Sequence, residues 1–181
     1  GRRVFWRGTD SDVPVASCNA SDRFPTCEVS ERTVHLFNRL RLVLLSNAHP
    51  RRVDAKLSGA KTDAKAIGQD RLYARLGLME RRERHWSLEE QLQHRYLLDV
   101  DGSSQSTRLY WTLLSNSVVF KQATKCCNWY SDRLRPYTHF IPVRRDFSDL
   151  MSQAAWLQRR PQLARRVSRR ATALARRWLS H

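Results

Sequence analysis

The sequence RYLLDVDGSSQSTRLYWTLLSNSVVF, residues 95–120, has the pattern of a strand, a turn, a helix and a second strand. Tyr96–Val100 is a short apolar run typical of a buried strand, and Asp101–Ser104 is rich in turn residues. Gln105–Leu114 carries apolar residues at helical spacing, and Ser117–Phe120 predicts the next strand. Because a helical crossover of this length joins parallel strands, the segment predicts an α/β domain with a parallel sheet flanked by helices.

The residues upstream of this unit fit the same plan. Val4–Trp6 predicts a first buried strand that ends at a glycine-containing turn. The apolar spacing from Thr33 onward predicts a helix, and Val53–Ala55 predicts a second short strand. The polar stretch Lys56–Arg71 is expected to be a loop, whereas Ser87, followed three residues later by a glutamate, predicts a capped helix.

The residues downstream continue the alternation of strands and helices. His139–Val143 predicts a further strand, and its proline favours an edge position or a strand end. Asp146 or Ser148 is expected to cap a helix that runs through Gln158. Residues 161–181 predict a basic terminal helix with its proline in the first turn.

The charge of the chain favours anionic partners. The 33 Lys and Arg outnumber the 17 Asp and Glu among 181 residues, so the formal net charge is +16. Such a field attracts nucleic acid, phosphorylated small molecules or acidic membranes, and the charge alone does not choose among them. The longest aliphatic stretch, Leu42–Leu45, is far shorter than the ~20 residues that span a bilayer. This part of the chain is therefore not expected to be a membrane span.

The cysteines do not predict a metal site. Cys18 and Cys27 are close enough in sequence to form a disulfide, but no zinc-ligand spacing occurs. Asn19-Ala20-Ser21 is a glycosylation sequon compatible with a secretory lumen. Asp99-Val100-Asp101 is a weak metal motif, because alternate acidic residues are common at strand ends, and arginines are the preferred neutralising charge here.

Two turns are candidates for ligand binding. In open α/β sheets the ligand lies beyond the carboxyl ends of the strands, which points to the turn at Arg7-Gly8-Thr9 and to the turn at Asp101–Ser104. The second turn leads into a helix, whose first backbone N–H groups favour a phosphate. Gly102 would allow close approach, and Arg108 could reach a diphosphate. A serine-rich helix start is also a common structural feature. Likewise, Trp129-Tyr130 fits either a base-stacking pair or part of the core.

A specific set of motifs runs through nearly the whole chain. It comprises Val4–Gly8, Arg39, Val53–Ala55, Arg95–Gly102, Ser106-x-Arg108, Leu113-x-Ser115-x-Ser117–Lys121, Trp129-Tyr130, Leu134-x-Pro136-Tyr137-x-His139–Val143 and Asp146–Leu150. This set resembles the lipopolysaccharide-modifying, capsule-associated and Rumi/KDEL-type protein O-glucosyltransferase family. Cys126-Cys127-Asn128 departs from the aromatic and acidic residues frequent in that family, and the Cys18–Cys27 region looks like an insertion.

The resemblance implies an architecture and a reaction. Residues 1–181 would form one domain, the C-terminal Rossmann-like lobe of a glycosyltransferase-B fold, without the N-terminal acceptor lobe. The family reaction is inverting transfer of a sugar, here glucose or xylose, from a UDP-sugar to a hydroxyl of an acceptor protein or polysaccharide. It needs no metal or other cofactor, and its carboxylate base belongs to the other lobe. A lumenal location, in the endoplasmic reticulum or Golgi, is implied for a eukaryotic protein.

The resemblance also implies which residues bind the nucleotide sugar. Carried over position by position, these are Arg7, Gly8, Arg39, Gly102, Ser106, Arg108 and Lys121. Two readings from other classes remain. One is a basic nucleic-acid-binding module, which the charge favours but which leaves the strand-turn-helix motif unexplained. The other is a catalytically inactive, lectin-like or scaffolding lobe.

Overall fold

The computed structural model describes residues 2–10, 29–58, 66–79, 86–102, 106–124 and 128–178. The strands in these ranges are β1 (Val4–Gly8), β2 (Val53–Leu57), β3 (Tyr96–Asp99), β4 (Val118–Gln122) and β5 (Ile141–Val143). The helices are α1 (Asn38–Ala48), α2 (Ala66–Arg75), α3 (Leu88–Leu92), α4 (Arg108–Leu114), α5 (Leu150–Gln158) and α6 (Pro161–Trp178). Strands and helices therefore alternate for most of the chain.

The five strands form one parallel sheet in the order β2-β1-β3-β4-β5. The chain moves outward from β1 to β2 and then returns to place β3 on the other side of β1. The direction of strand addition therefore reverses between β1 and β3, which makes this boundary the switch point of a doubly wound sheet. The prediction of a Rossmann-like α/β fold with a parallel, helix-flanked sheet is confirmed. The edge position predicted for the proline-containing strand, β5, is confirmed as well.

Apolar side chains are buried on both faces of the sheet, as expected for parallel strands covered by helices. The larger core cluster includes Leu40 of α1 and Leu157 of α5. The smaller cluster joins Leu113 of α4, Val119 of β4 and Ala171 of α6. Neighbouring residues on β4 belong to different clusters because successive side chains of a strand point to opposite faces. The sheet is thus the central layer of a three-layer structure.

Helix α2 begins within the stretch Lys56–Arg71, which the sequence predicts to be a loop, so that prediction is wrong for residues 66–71. It is also wrong for Lys56 and Leu57, which belong to β2. The helix packs against the larger core through Leu72 and Tyr73. Tyr73 is fully buried, and its hydroxyl donates a hydrogen bond to Asp10 Oδ2 at 3.2 Å. Gly68 and three polar residues separate Leu72 from the apolar start of the helix, so no helical apolar pattern was visible. Packing against the rest of the protein stabilises this helix.

The start of α5 also differs from the sequence prediction. Neither Asp146 nor Ser148 caps the helix, which begins at Leu150 after Asp149. Asp146 Oδ1 instead accepts hydrogen bonds from the backbone N–H and the hydroxyl of Ser148. Asp149 Oδ1 accepts from the backbone N–H of Arg144 at 2.8 Å. Both carboxylates therefore stabilise the turn after β5 rather than the helix end.

Helix α6 is joined to α4 and to the turn after it by polar contacts as well as by its alanines. Thr172 Oγ1 donates to the carbonyl oxygen of Leu113 and accepts from the backbone N–H of Asn116, both at 3.1 Å. Pro161 stands at the first residue of the helix, as predicted. No helix in the described ranges is long and apolar enough to cross a membrane.

Candidate functional site

The carboxyl ends of β1 and β3 lie next to each other at the switch point, and we call the region between the two turns that follow them the crevice. The turn after β1 contains Gly8, Thr9 and Asp10, and the turn after β3 contains Asp101 and Gly102. Both turns are the ones that the sequence analysis selects as candidates. In doubly wound sheets this is the usual place for a ligand, because the two connecting segments diverge to opposite faces there.

Arg39 connects the two turns. It projects from the first turn of α1, and its guanidinium donates to three backbone carbonyl oxygens. Nη1 reaches Thr9 O at 3.0 Å, Nε reaches Asp101 O at 3.2 Å, and Nη2 reaches Val100 O at 3.4 Å. A rigid fork with several donors is suited to such a bridge. Arg39 therefore holds both sides of the crevice at a fixed separation and places a positive charge between them.

Arg108 brings a second positive charge to the crevice from the opposite side of the sheet. Its Nη1 donates to Gln91 Oε1 at 2.8 Å, and its Nη2 donates to the carbonyl oxygen of Arg7. Burial lowers the pKa of Arg108 to about 10, although the carboxyl of Asp99 nearby raises it. The group is still protonated at neutral pH. It is a half-buried cation whose hydrogen-bonding partners are neutral oxygens.

Ser106 and Gly102 belong to the segment that leads from β3 into α4. The buried Ser106 donates its backbone N–H to Asp101 Oδ1 at 2.7 Å, and its hydroxyl accepts from the backbone N–H of Arg108 at 3.2 Å. Gly102 is partly exposed at the mouth of the crevice. The described helix begins at Arg108 and has seven residues. The arginines therefore contribute more than the helix dipole to the attraction of this region for an anion. Ser103, Ser104 and Gln105, where the sequence predicts the helix start, lie outside the described residues.

Arg7 and Gly8 lie at the end of β1. The side chain of Arg7 makes contacts within the protein, and Gly8 packs closely against a buried ring. The Arg7 guanidinium pairs with Asp54 Oδ1 at 2.7 Å and lies over the rings of Phe5 and Trp86, with Cζ 4.7 and 4.8 Å from their centroids. A Cβ added to Gly8 would stand 2.6 Å from the Trp6 ring. Gly8 is therefore required for packing at this strand end.

Lys121 lies on β4 beside the buried carboxyl of Asp99, which is 2% exposed. Burial raises the pKa of Asp99 to about 6, while the Ser106 hydroxyl and the charge of Lys121 lower it. Burial, together with the charge of Asp99, raises the pKa of Tyr130 to about 12. The floor of the crevice near β3 thus contains an acid that titrates near neutral pH.

Three buried polar atoms at these strand ends have no hydrogen-bonding partner among the described residues. They are Trp6 Nε1, Asp99 Oδ1 and Asp101 Oδ2. Buried polar groups are normally paired with protein or with ordered water. The crevice therefore offers one donor and two acceptors to water or to a polar ligand, in addition to its two arginines.

Some residues that hold the site arginines were not predicted. Gln91 accepts from Arg108 and Trp86 lies beside Arg7, and neither carries a sequence signal. Asp54 lies in the Val53–Ala55 motif, but its pairing with Arg7 was not predicted. Trp129 and Tyr130 differ from each other, since Trp129 is 71% exposed whereas Tyr130 belongs to the smaller core cluster.

No group of three or more potential metal ligands occurs within the ranges described above.

This fold and crevice define a class of α/β domains that place cationic side chains at the switch point of a parallel sheet. Residues 30–181 match glycosyl transferase family 90, and the chain belongs to that family. The matched range includes Arg39, Gly102, Ser106, Arg108 and Lys121. It begins after Arg7 and Gly8, so the resemblance at β1 rests on the motif alone.

Similar proteins carry consistent names. The chain is 28% identical over 141 residues to protein O-glucosyltransferase 3 of Rattus norvegicus, covering 76% of this chain and 25% of that protein. It is 34% identical over 86 residues to O-glucosyltransferase LpsA of Dichelobacter nodosus, covering 47% and 27%. It is 32% identical over 131 residues to the O-glucosyltransferase rumi homolog of Anopheles gambiae, covering 71% and 31%. The chain spans about a quarter to a third of the length of these relatives.

Proposed function

We propose that this chain is the donor-binding lobe of an inverting glycosyltransferase that transfers a sugar from a UDP-sugar to an acceptor hydroxyl. Membership of glycosyl transferase family 90 supports sugar transfer. The relatives named O-glucosyltransferase favour glucose, with xylose as the other expected sugar. The acceptor is a protein or a polysaccharide, and the carboxylate base that activates its hydroxyl lies outside this chain.

The observation that carries the proposal is the meeting of Arg39 and Arg108 at the β1/β3 switch point. Arg39 extends from α1 and donates to carbonyl oxygens of both turns. Arg108 extends from the start of α4 and donates to the carbonyl oxygen of Arg7 near the end of β1. Two cations held together beside the carboxyl ends of β1 and β3 are suited to a diphosphate.

The proposed chemistry is stabilisation of the leaving group. As the bond between the anomeric carbon and the UDP oxygen breaks, negative charge grows on the diphosphate. Prepositioned cations that face this charge lower the barrier because they need no reorganisation during the reaction. We assign that role to Arg108 and Arg39, with Lys121 and the backbone at Gly102 and Ser106 as further contacts. In this proposal arginines, and no metal ion, neutralise the diphosphate.

Calorimetric titration of the chain with UDP tests this proposal, with ADP, UMP and UDP-glucose for comparison. Physiological salt is used because it screens loose ion pairing. UDP and UDP-glucose should bind, UMP should bind more weakly, and Arg108→Ala should weaken UDP binding at least ~10-fold, since a charge-assisted pair contributes on the order of 1.5–3 kcal/mol. Arg159→Ala, which removes the same charge from an exposed site, should leave UDP binding unchanged.

Two results would contradict the proposal. One is a folded chain that does not bind UDP. The other is equal binding of every polyanion with no effect of Arg108→Ala, which would instead favour the nucleic-acid-binding alternative. For the cell, we propose residence in the lumen of the secretory pathway if the protein is eukaryotic, which fractionation against lumenal and cytosolic markers tests.

A further inference from the structure

A second cationic site lies away from the switch point, between α6 and the segment that connects β4 to β5. It is a cleft of about 680 Å³. Arg133 and Arg135 line it from the connecting segment, and Arg170 and Arg177 line it from α6. Arg170 and Arg177 are seven residues apart and therefore share one face of the helix. We call this group of four arginines the basic cleft.

The charge of the basic cleft is not neutralised by the described part of the chain. None of the ion pairs found there includes any of the four arginines. Asp132 also lines the cleft, so its described lining carries four positive charges and one negative charge. Burial, and then the charges of Arg135 and Arg170, lower the pKa of His139 at the cleft wall. A high local positive potential of this kind favours an anionic ligand.

The position of Arg133 shows how the cleft presents its donors. Its Cζ lies 3.8 Å from the centroid of the Trp178 ring, and Arg177 Cζ lies 5.5 Å from it. A guanidinium stacked on an aromatic face is held in place by the cation–π attraction, and its N–H groups still point outward in the plane. Arg133 therefore covers one face of the Trp178 indole, and that face is closed to a stacking nucleic-acid base.

We propose that the basic cleft binds a segment of an anionic oligosaccharide that carries sulfate, phosphate or carboxylate groups. Guanidinium groups bind all three oxyanions through paired N–H donors. The cleft lies in the size range of pockets that hold extended small ligands, and several arginines line it, so a chain with several charges fits better than a single ion. That the chain is a sugar rests on the proposed glycosyltransferase function.

The test measures binding of a heparin-derived octasaccharide to the 181-residue chain by calorimetry at physiological salt. Arg170→Ala/Arg177→Ala should raise the Kd at least ~10-fold, because the ligand loses two charge-assisted contacts. The matched control is Arg165→Ala/Arg169→Ala, which removes two exposed arginines of the same helix that do not line the cleft. The control should change the Kd less than ~3-fold, as expected for screened long-range charge. Circular dichroism verifies that both variants are folded.

Comparison ligands decide the class of partner. A neutral dextran octasaccharide should not bind. A single-stranded oligonucleotide of equal charge and vesicles of acidic phospholipid should each bind more weakly than the octasaccharide. Tighter binding of either one overturns the proposal, as does an equal loss of affinity in the two double variants. Arg108→Ala should keep octasaccharide binding and the cleft variant should keep UDP binding, so failure at one site is distinguishable from failure at the other.

Discussion

Arg7 Nη2 lies 2.7 Å from Asp54 Oδ1, and this pair joins β1 to β2 on the side away from β3. The Arg7 side chain is 5% exposed, and its backbone carbonyl oxygen accepts a hydrogen bond from Arg108. Its charge is therefore committed to β2, while its backbone contacts the crevice. Arg7 is a positioning residue for Arg108 in this structure.

The Arg7–Asp54 pair predicts a strong effect of Asp54→Asn on stability. The variant leaves a buried guanidinium without its counter-charge, so the free energy of unfolding should fall by about 2–4 kcal/mol. Urea denaturation followed by circular dichroism measures it. The control is Glu31→Gln, which breaks an exposed pair with Arg75 and should cost less than ~1 kcal/mol. Equal losses in the two variants would show that the Arg7–Asp54 pair is not the structural contact described.

Gly8 is required by the close approach of Trp6. In Gly8→Ala the new Cβ would stand 2.6 Å from the buried indole, so the ring or the strand end must shift. Such overpacking should lower the free energy of unfolding by about 1–3 kcal/mol. Thr9→Ala, at the exposed next residue, should stay within about 0.5 kcal/mol of the parent in the same urea titration. A neutral Gly8→Ala would contradict this packing.

Asp99 predicts a pH dependence with a definite sign. Burial raises its pKa to about 6, above the ~4 of an unfolded chain. The folded state holds this proton more tightly, so the stabilisation is present below pH ~4 and is lost as the pH rises through about 6. Asp99→Asn removes this dependence. The stability of the variant relative to the parent should therefore rise between pH 4 and pH 7, by up to about 2–3 kcal/mol.

Asp146 serves as the control of opposite sign. Hydrogen bonds from the backbone and hydroxyl of Ser148 lower its pKa, so its contribution is present above the unfolded pKa and is lost as the pH falls through the folded one. Asp146→Asn should lose stability relative to the parent as the pH rises from acid to neutral. Urea titrations at about pH 2.5, 4, 5.5 and 7 measure both variants, because most of the Asp146 change falls below the unfolded pKa of ~4. A difference between Asp99→Asn and the parent that does not vary with pH would contradict the burial of a titrating acid.

A substitution of Arg39 can distinguish the effect of its charge on UDP binding from the effect of its hydrogen bonds to the two turns. Arg39→Lys keeps the positive charge but cannot bridge Thr9, Val100 and Asp101 at once. UDP binding should weaken about 5–20-fold because the two turns lose their common support. Arg41→Lys on the same helix should have no effect on UDP binding, since Arg41 donates to the carbonyl oxygen of His35. Equal affinities for the parent and Arg39→Lys would show that the charge alone is sufficient.

The sequence predicted the elements whose signals are local. Tyr96–Val100 and Ser117–Phe120 are apolar runs bounded by turn residues, and each contains most of a strand of the sheet. The Ser87–Glu90 capping box was visible for the same reason, because both partners lie within one turn of a helix. The two candidate turns followed from a general property of parallel sheets, and both lie at the switch point.

The partners of the site side chains were not predictable, since they come from distant parts of the chain. Asp54 holds Arg7 across 47 residues, and Gln91 meets Arg108 across 17. Helix α2 was missed because Tyr73, its fully buried side chain, follows a polar stretch with no helical period. These contacts depend on how the elements pack, which local spacing does not encode.

Titration of ¹⁵N-labelled protein with UDP, followed by backbone amide NMR, tests the central claim most directly. If the β1/β3 crevice binds the diphosphate, the amides of Gly8, Gly102, Ser106 and Arg108 should shift together with one saturating dissociation constant. The amides of Arg170 and Arg177 in the basic cleft should not move. Shifts confined to the basic cleft, or none at saturating UDP, would contradict the assignment of the switch point as the nucleotide-sugar site.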